Sequence, residues 1–223
     1  MGVSGGIDSA VVSTLCAMTG LKTIGCSLPI DMREPPPKDE RVKRIDLAMD
    51  HLYWLDSHFS KTFDGKSINM TNVFRRFYKL ANQLNDGSAL GFANSRARIR
   101  MMMLYQIAQS NNGLVIGTGN KVEDFGVGFF TKWGDGGVDI SPIGDLYELG
   151  ASLNILDSIM TATPTDGLWD DDRTDVDQLG LTYDQLEEAM KWGTGSQHYD
   201  RYVELRTANL HKMQSTPVFK NEQ

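Results

Sequence analysis

Residues 4–9 read Ser-Gly-Gly-Ile-Asp-Ser, between a stub of strand (Met1–Val3) and an apolar run of helical character (Ala10–Met18). A strand, a glycine turn and a helix start, in that order, form a cradle for a pyrophosphate. Gly5 and Gly6 tolerate positive φ and let the backbone come close to an oxyanion. The N–H groups that open the helix have no intrahelical partner and point at the same spot. Ser4 and Ser9 add hydroxyl donors, and the Asp8 carboxylate suits a hard cation better than a phosphate. A helix dipole supplies only about 0.3–1 kcal/mol, up to about 2 in favourable geometry, so a triphosphate also needs a metal and basic side chains. Asp8 is therefore a candidate Mg²⁺ ligand. The chain has neither the Gly-Lys-Ser/Thr ending of a Walker loop nor a GxGxxG dinucleotide fingerprint at this position.

The 223 residues are 40% hydrophobic and 23% charged, the balance of one soluble globular domain spanning 1–223. No apolar stretch is long enough to span a membrane, and no signal peptide is evident. Cys16 and Cys26 both fall in apolar segments, which suits reduced, buried thiols in a cytoplasmic protein. A net charge of −7 argues against non-specific nucleic-acid binding. Helical and strand-like segments alternate, which predicts an α/β fold: an open, mostly parallel twisted sheet with helices on both faces. Strands are expected at Met1–Val3, Lys22–Leu28, near Ser67–Met70 and at Leu114–Gly117. Helices are expected at Ser9–Thr19, Glu40–Leu52, Asn72–Leu84, Asn94–Ser110, weakly at Leu146–Leu156, from the Thr182 capping box to Lys191, and at Gln197–Met213. The prolines of Arg33–Lys38 make that stretch a loop. The glycine-rich segment after Leu114–Gly117 falls where ligands bind in open α/β sheets.

Three further segments carry a resemblance: Gly117-Thr-Gly-Asn-Lys-Val-Glu-Asp124, Gly128-Phe-Phe-Thr-Lys-Trp-Gly-Asp-Gly-Gly-Val-Asp139, and His211-Lys212. With the Ser-Gly-Gly-Ile-Asp-Ser loop and Arg96-Ala-Arg-Ile-Arg-Met101, they make the chain similar to the ammonia-dependent NAD synthetases, within the N-type ATP pyrophosphatases. The resemblance implies ATP-dependent amidation of nicotinic acid adenine dinucleotide (deamido-NAD). ATP adenylates the nicotinate carboxylate, pyrophosphate leaves, and ammonia attacks the acyl adenylate to give NAD and AMP. It assigns ATP to Ser4, Gly5, Gly6, Ile7, Asp8, Ser9, Thr118 and Thr165, and Mg²⁺ to Asp8 and Glu123. It assigns the dinucleotide to Arg98, Lys132, Asp139, His211 and Lys212, and implies a homodimer. For catalysis it points to Lys132 and to a carboxylate that takes a proton from ammonium, either Asp135, the favoured choice, or Asp139. Arg96, Arg98 and Arg100 alternate on a helix and cannot all face one way.

Two departures from the family stand out. The chain is N-terminally truncated relative to it, Met1 standing inside the first strand. An ungapped alignment also places Glu148 where relatives carry an ATP-binding lysine, a role that Lys121 or Lys132 would have to take over. The alternatives to the synthetase are a catalytically impaired nucleotide-binding relative and another N-type ATP pyrophosphatase. Thiolating members of the latter group need Cys-x-x-Cys pairs, and this chain has none.

Overall fold

The computed structural model describes residues 1–32, 40–84, 87–143, 152–171 and 173–218. Helix α1 (Ile7–Met18) follows the glycine turn and leads into β1 (Thr23–Ser27). Helix α2 (Glu40–His58) then crosses to β2 (Phe63–Ser67), which pairs with β1 in parallel, Thr23 opposite Phe63 and Ser27 opposite Ser67. On the other side of β1 lies Met1–Val3. Gly2 bridges Cys26 in parallel, Val3 N–H donates to the Cys26 carbonyl at 2.9 Å, and Cys26 N–H donates to the Met1 carbonyl at 2.9 Å. The short first strand is thus stabilised by its neighbour, as its length demands. A further parallel bridge joins Ile116 to Ile140.

Side-chain alternation along the strands places helices on both faces of this sheet. Val3 and Phe63 pack with Ala17, Ala48, Leu52 and Leu55 of α1 and α2. Cys26 instead joins Phe74 of α3 (Thr71–Gln83) and Met101 and Leu104 of α4 (Ala89–Ser110). Gly25 is needed between them, because a Cβ there would strike the Phe63 ring and Leu52. The remaining elements are a π-helical turn (Lys121–Val127), α5 (Asp157–Met160), α6 (Asp175–Leu179), α7 (Tyr183–Trp192), a 3₁₀ turn (Gly193–Gly195) and α8 (Tyr199–Met213). Val127, Leu179, Leu181 and Leu186 form a separate cluster that fastens the π-helical turn to α6 and α7.

Several boundaries differ from expectation for identifiable reasons. The strand expected near Ser67–Met70 runs instead over Phe63–Ser67. Its Asp64–Lys66 ion pair, 2.8 Å and half exposed, marks an edge strand that lacks an apolar signature. Helix α4 begins five residues before Asn94, because the Ser88 hydroxyl caps it by accepting from Gly91 N–H at 3.0 Å. Helix α2 continues to His58, past the expected Leu52. Among the described residues Leu114–Gly117 pairs through one isolated bridge, at Ile116, and Leu114 is 62% exposed. The Thr182 capping box is present, with Gln185 returning the bond. The Arg33–Lys38 loop and Glu148 lie outside the described residues, as does most of the weak helix expected at Leu146–Leu156.

Candidate active site

The glycine turn takes its shape from its own serines. Gly5 adopts φ 85°, the left-handed conformation that a side chain would disfavour, whereas Gly6 is extended at φ −91° and serves as the N-cap of α1. Ser9 is buried; its hydroxyl donates to the Gly6 carbonyl at 3.0 Å and accepts from Ser4 N–H at 3.0 Å. The single Ser9 proton is therefore committed to the loop, and Ser9 builds the cradle rather than donating into it. Ser4, exposed, accepts from Gly6 N–H at 3.3 Å. Ala10 N–H makes the first helical bond, to the Gly6 carbonyl, so the Ile7, Asp8 and Ser9 N–H groups of the first turn have no helical partner.

These residues line a cavity of about 390 Å³ together with the end of β1, the Gly117–Asn120 segment, the π-helical turn and the loop Ala162–Leu168. Of the residues singled out from sequence, Ser4, Gly6, Ile7, Asp8, Ser9, Thr118, Glu123, Asp135 and Thr165 meet on its wall. Asn120, which sequence reasoning passed over, organises its acidic end. Its Oδ1 accepts from Val122 and Glu123 N–H, both at 2.9 Å, and so caps the π-helical turn. Its Nδ2 donates to Asp8 Oδ2 and Glu123 Oε2, each at 3.2 Å. One amide group therefore brings together two carboxylates 115 positions apart in number, Asp8 and Glu123. π-Helical turns of this kind recur at functional sites.

The electrostatics are those of crowded acids. Burial raises Asp8 to about 6, with repulsion from Asp175 adding to it, while the Asn120 amide pulls it down. Burial and then the Asp8 charge push Glu123 well above the usual carboxylate range. Asp124 rises to about 7 through burial and repulsion from Asp135 and Asp8. Its carboxylate packs so closely on Gly119 that a Cβ there would collide with it. Asp135 is raised by burial and held at Oδ1 by Thr131 N–H at 3.1 Å. Arg100 is the only lysine or arginine lining the cavity among the described residues.

Asp8 and Glu123 present hard anionic oxygens on either side of one donor, at the first turn of α1, whose N–H groups have no helical partner. Among the described residues no three His, Cys, Asp or Glu side chains form a metal-binding group. The paired carboxylates fit Mg²⁺, which takes one or two carboxylates plus phosphate oxygens rather than an all-protein cage.

The residues expected to hold the dinucleotide assemble separately. Arg98 Nε donates to the Lys132 carbonyl at 3.2 Å, and Lys132 Nζ donates to the His211 carbonyl at 3.2 Å. Lys212 Nζ donates to the Phe130 carbonyl at 2.7 Å, and burial lowers its pKa. Asp139 lies outside the cavity wall. Its carboxylate accepts from Val115 N–H at 2.8 Å and from the Tyr105 hydroxyl at 3.1 Å, which staples two extended segments. Gly5 is also off the cavity wall, behind the turn. The three arginines of α4 divide as the helical geometry requires. Arg96 is buried and clasps Asp170 with both carboxylate oxygens (2.7 and 2.9 Å), Arg98 reaches Lys132, and Arg100 Nε donates to the Leu28 carbonyl at 2.9 Å.

The fold and cavity define an α/β protein whose glycine turn and first helix adjoin a carboxylate pair, Asp8 and Glu123. Residues 1–222 match the family model described as NAD synthase, and the chain belongs to that family. It is 37% identical over 198 residues to an NH(3)-dependent NAD(+) synthetase of Methanococcoides burtonii, covering 86% of this chain and 70% of that protein. It is 34% identical over 232 residues to the enzyme of the same name from Archaeoglobus fulgidus, covering 98% and 86%. Among solved structures, NMN synthetase from Francisella tularensis superposes with a TM-score of 0.82 at 32% identity, over 98% of this chain and 88% of that one. The NH3-dependent NAD synthetase from Campylobacter jejuni, at 23% identity and a TM-score of 0.73 over the same shares, shares the fold.

Proposed function

We propose that this chain is a single-domain, cytoplasmic, homodimeric ligase that amidates deamido-NAD to NAD with ammonia, consuming ATP and releasing AMP and pyrophosphate. The observation that carries the reading is the convergence of Asp8 and Glu123 on Asn120 beside the glycine cradle. Family membership and the names of the relatives support the substrate. Cys16 and Cys26 are free thiols, and no helix among the described residues is long and apolar enough to cross a membrane.

The cradle Ser4–Ser9 binds the β- and γ-phosphates of ATP through the N–H groups of the first turn of α1, with Thr118 and Thr165 on the adjoining walls of the cavity. Mg²⁺ held by Asp8 and Glu123 would neutralise charge on the departing pyrophosphate. The nicotinate carboxylate attacks the α-phosphorus and pyrophosphate leaves, giving the acyl adenylate. Ammonia then attacks the acyl carbon, the C–O bond to AMP breaks, and one proton is released. Asp135, on the cavity wall, receives that proton or removes one from ammonium beforehand. Its raised pKa makes it a better base than an ordinary aspartate. Lys132, in the same loop as Asp135, is assigned to this step, and Arg98, Asp139, His211 and Lys212 to the dinucleotide.

A second reading, amidation of the corresponding deamido mononucleotide, is favoured by the NMN synthetase likeness at 32% identity. Incubation of the protein with ATP, Mg²⁺, ammonium and either deamido substrate, followed by chromatography for AMP, separates the two. AMP and NAD from the dinucleotide support the first reading. AMP and NMN from the mononucleotide alone support the second. No AMP from either one removes both and leaves a nucleotide-binding protein without turnover.

A further inference from the structure

Both oxygens of the Glu123 carboxylate are held, and by different elements. Oε2 accepts from Asn120 Nδ2 at 3.2 Å within the π-helical turn, whereas Oε1 accepts from the Tyr183 hydroxyl at 2.5 Å. That hydroxyl also lies 3.0 Å from Oδ2 of Asp175. Tyr183 and Asp175 are the first residues of α7 and α6, and each helix start is fixed by a capping box, through Thr182 with Gln185 and through Thr174 with Asp177. The Tyr183 ring packs against the cluster of Val127, Leu179, Leu181 and Leu186. The phenol therefore reaches Glu123 from a scaffold that does not depend on the cradle.

We infer that Tyr183 is a positioning residue for the metal site: its hydroxyl, beside Asp175, holds Glu123 in the rotamer that turns Oε2 toward Asp8. This rests on the reading of Asp8 and Glu123 as the Mg²⁺ ligands. A free glutamate samples many rotamers, and ordering it opposes metal binding. A carboxylate gripped at one oxygen by a fixed phenol and at the other by a fixed amide is ordered before the cation arrives. Partners that orient a metal ligand from behind in this way are typically worth 10–100-fold in affinity.

The test is Tyr183→Phe, which keeps the ring and its packing and deletes only the hydroxyl. Mn²⁺ serves as the probe, titrated by electron paramagnetic resonance without nucleotide, with Glu123→Gln in parallel. ATP binding in EDTA and the thermal midpoint of each variant are measured alongside. Tyr183→Phe is expected to weaken Mn²⁺ by about 10–100-fold, with ATP binding in EDTA and the thermal midpoint unchanged. Asp175→Asn is expected to act in the same direction. Wild-type Mn²⁺ affinity in Tyr183→Phe, together with weakened affinity in Glu123→Gln, would overturn the inference and leave the metal reading standing. Unchanged Mn²⁺ affinity in Glu123→Gln would overturn the metal reading and the inference with it. Loss of thermal stability and of metal-free ATP binding together in Tyr183→Phe would show that the tyrosine only supports the fold, and would also overturn the inference.

Discussion

Replacing Asn120 by Asp isolates the part of that side chain that matters most to the site. Aspartate is as good a cap as asparagine, so the bonds from Val122 and Glu123 N–H persist. The Nδ2 group, 3.2 Å from both Asp8 and Glu123, becomes a third carboxylate oxygen. At that distance and an effective dielectric near 20, each new repulsion amounts to about 5 kcal/mol. The cluster escapes by taking up a proton, which sets a ceiling on the effect. Keeping a carboxyl with an ordinary pKa of 3.8 protonated costs about 1.4 kcal/mol per pH unit above that value, or about 6 kcal/mol at pH 8 and about 3 at pH 6. Asn120→Asp should therefore be strongly destabilised at pH 8 and regain roughly half of the loss at pH 6. Urea denaturation of both proteins at the two pH values, without divalent ions, measures it. A loss of the same size at both pH values would refute the account of Asn120 as a donor between two like charges, and so would no loss at pH 8.

Other outcomes follow from single groups. His51 is fully buried, with Nε2 3.0 Å from the Ser13 hydroxyl and 3.2 Å from the Ala10 carbonyl, and burial lowers it from 6.5 to about 4. The unfolded chain takes up a proton that the folded state resists, so this stabilisation is complete above pH 6.5 and is lost as pH falls toward 4. It amounts to about 3 kcal/mol, and His51→Gln should flatten the acid limb of a stability–pH curve by that amount. Asp170→Asn leaves the buried Arg96 guanidinium without its carboxylate. With Asp170 itself half exposed, the loss should be about 1–2 kcal/mol, accompanied by faster proteolysis within 162–173. Lowering pH through about 6 should weaken divalent binding as Asp8 takes a proton, seen as a rising Mn²⁺ dissociation constant between pH 7 and 5. A flat profile would mean that Asp8 is not a ligand.

The parts of the site that lie within one segment were legible in the sequence. The glycine turn between strand and helix is a local arrangement, and Gly5 takes the positive φ that the pattern allows. Residues that act only across space were not legible. Asn120, Asp175 and Tyr183 come from three different elements and acquire a role only when the fold brings them to Glu123. Asn120 did leave a trace, three residues before Glu123 and at the start of a turn, where a side-chain cap is common. The polar edge strand Phe63–Ser67 was hidden because Asp64 and Lys66 face outward, and strands are recognised by buried alternation. Arg98, Lys132, His211 and Lys212 meet through backbone carbonyls, contacts for which residue type carries no signal.

Anomalous diffraction from crystals grown with Mn²⁺ and a non-hydrolysable ATP analogue bears most directly on the site as a whole. The expected result is one manganese peak bridging Asp8, Glu123 and the phosphate tail, with that tail in the Ser4–Ser9 turn. A tail bound elsewhere, or manganese that leaves either carboxylate untouched, would contradict the account.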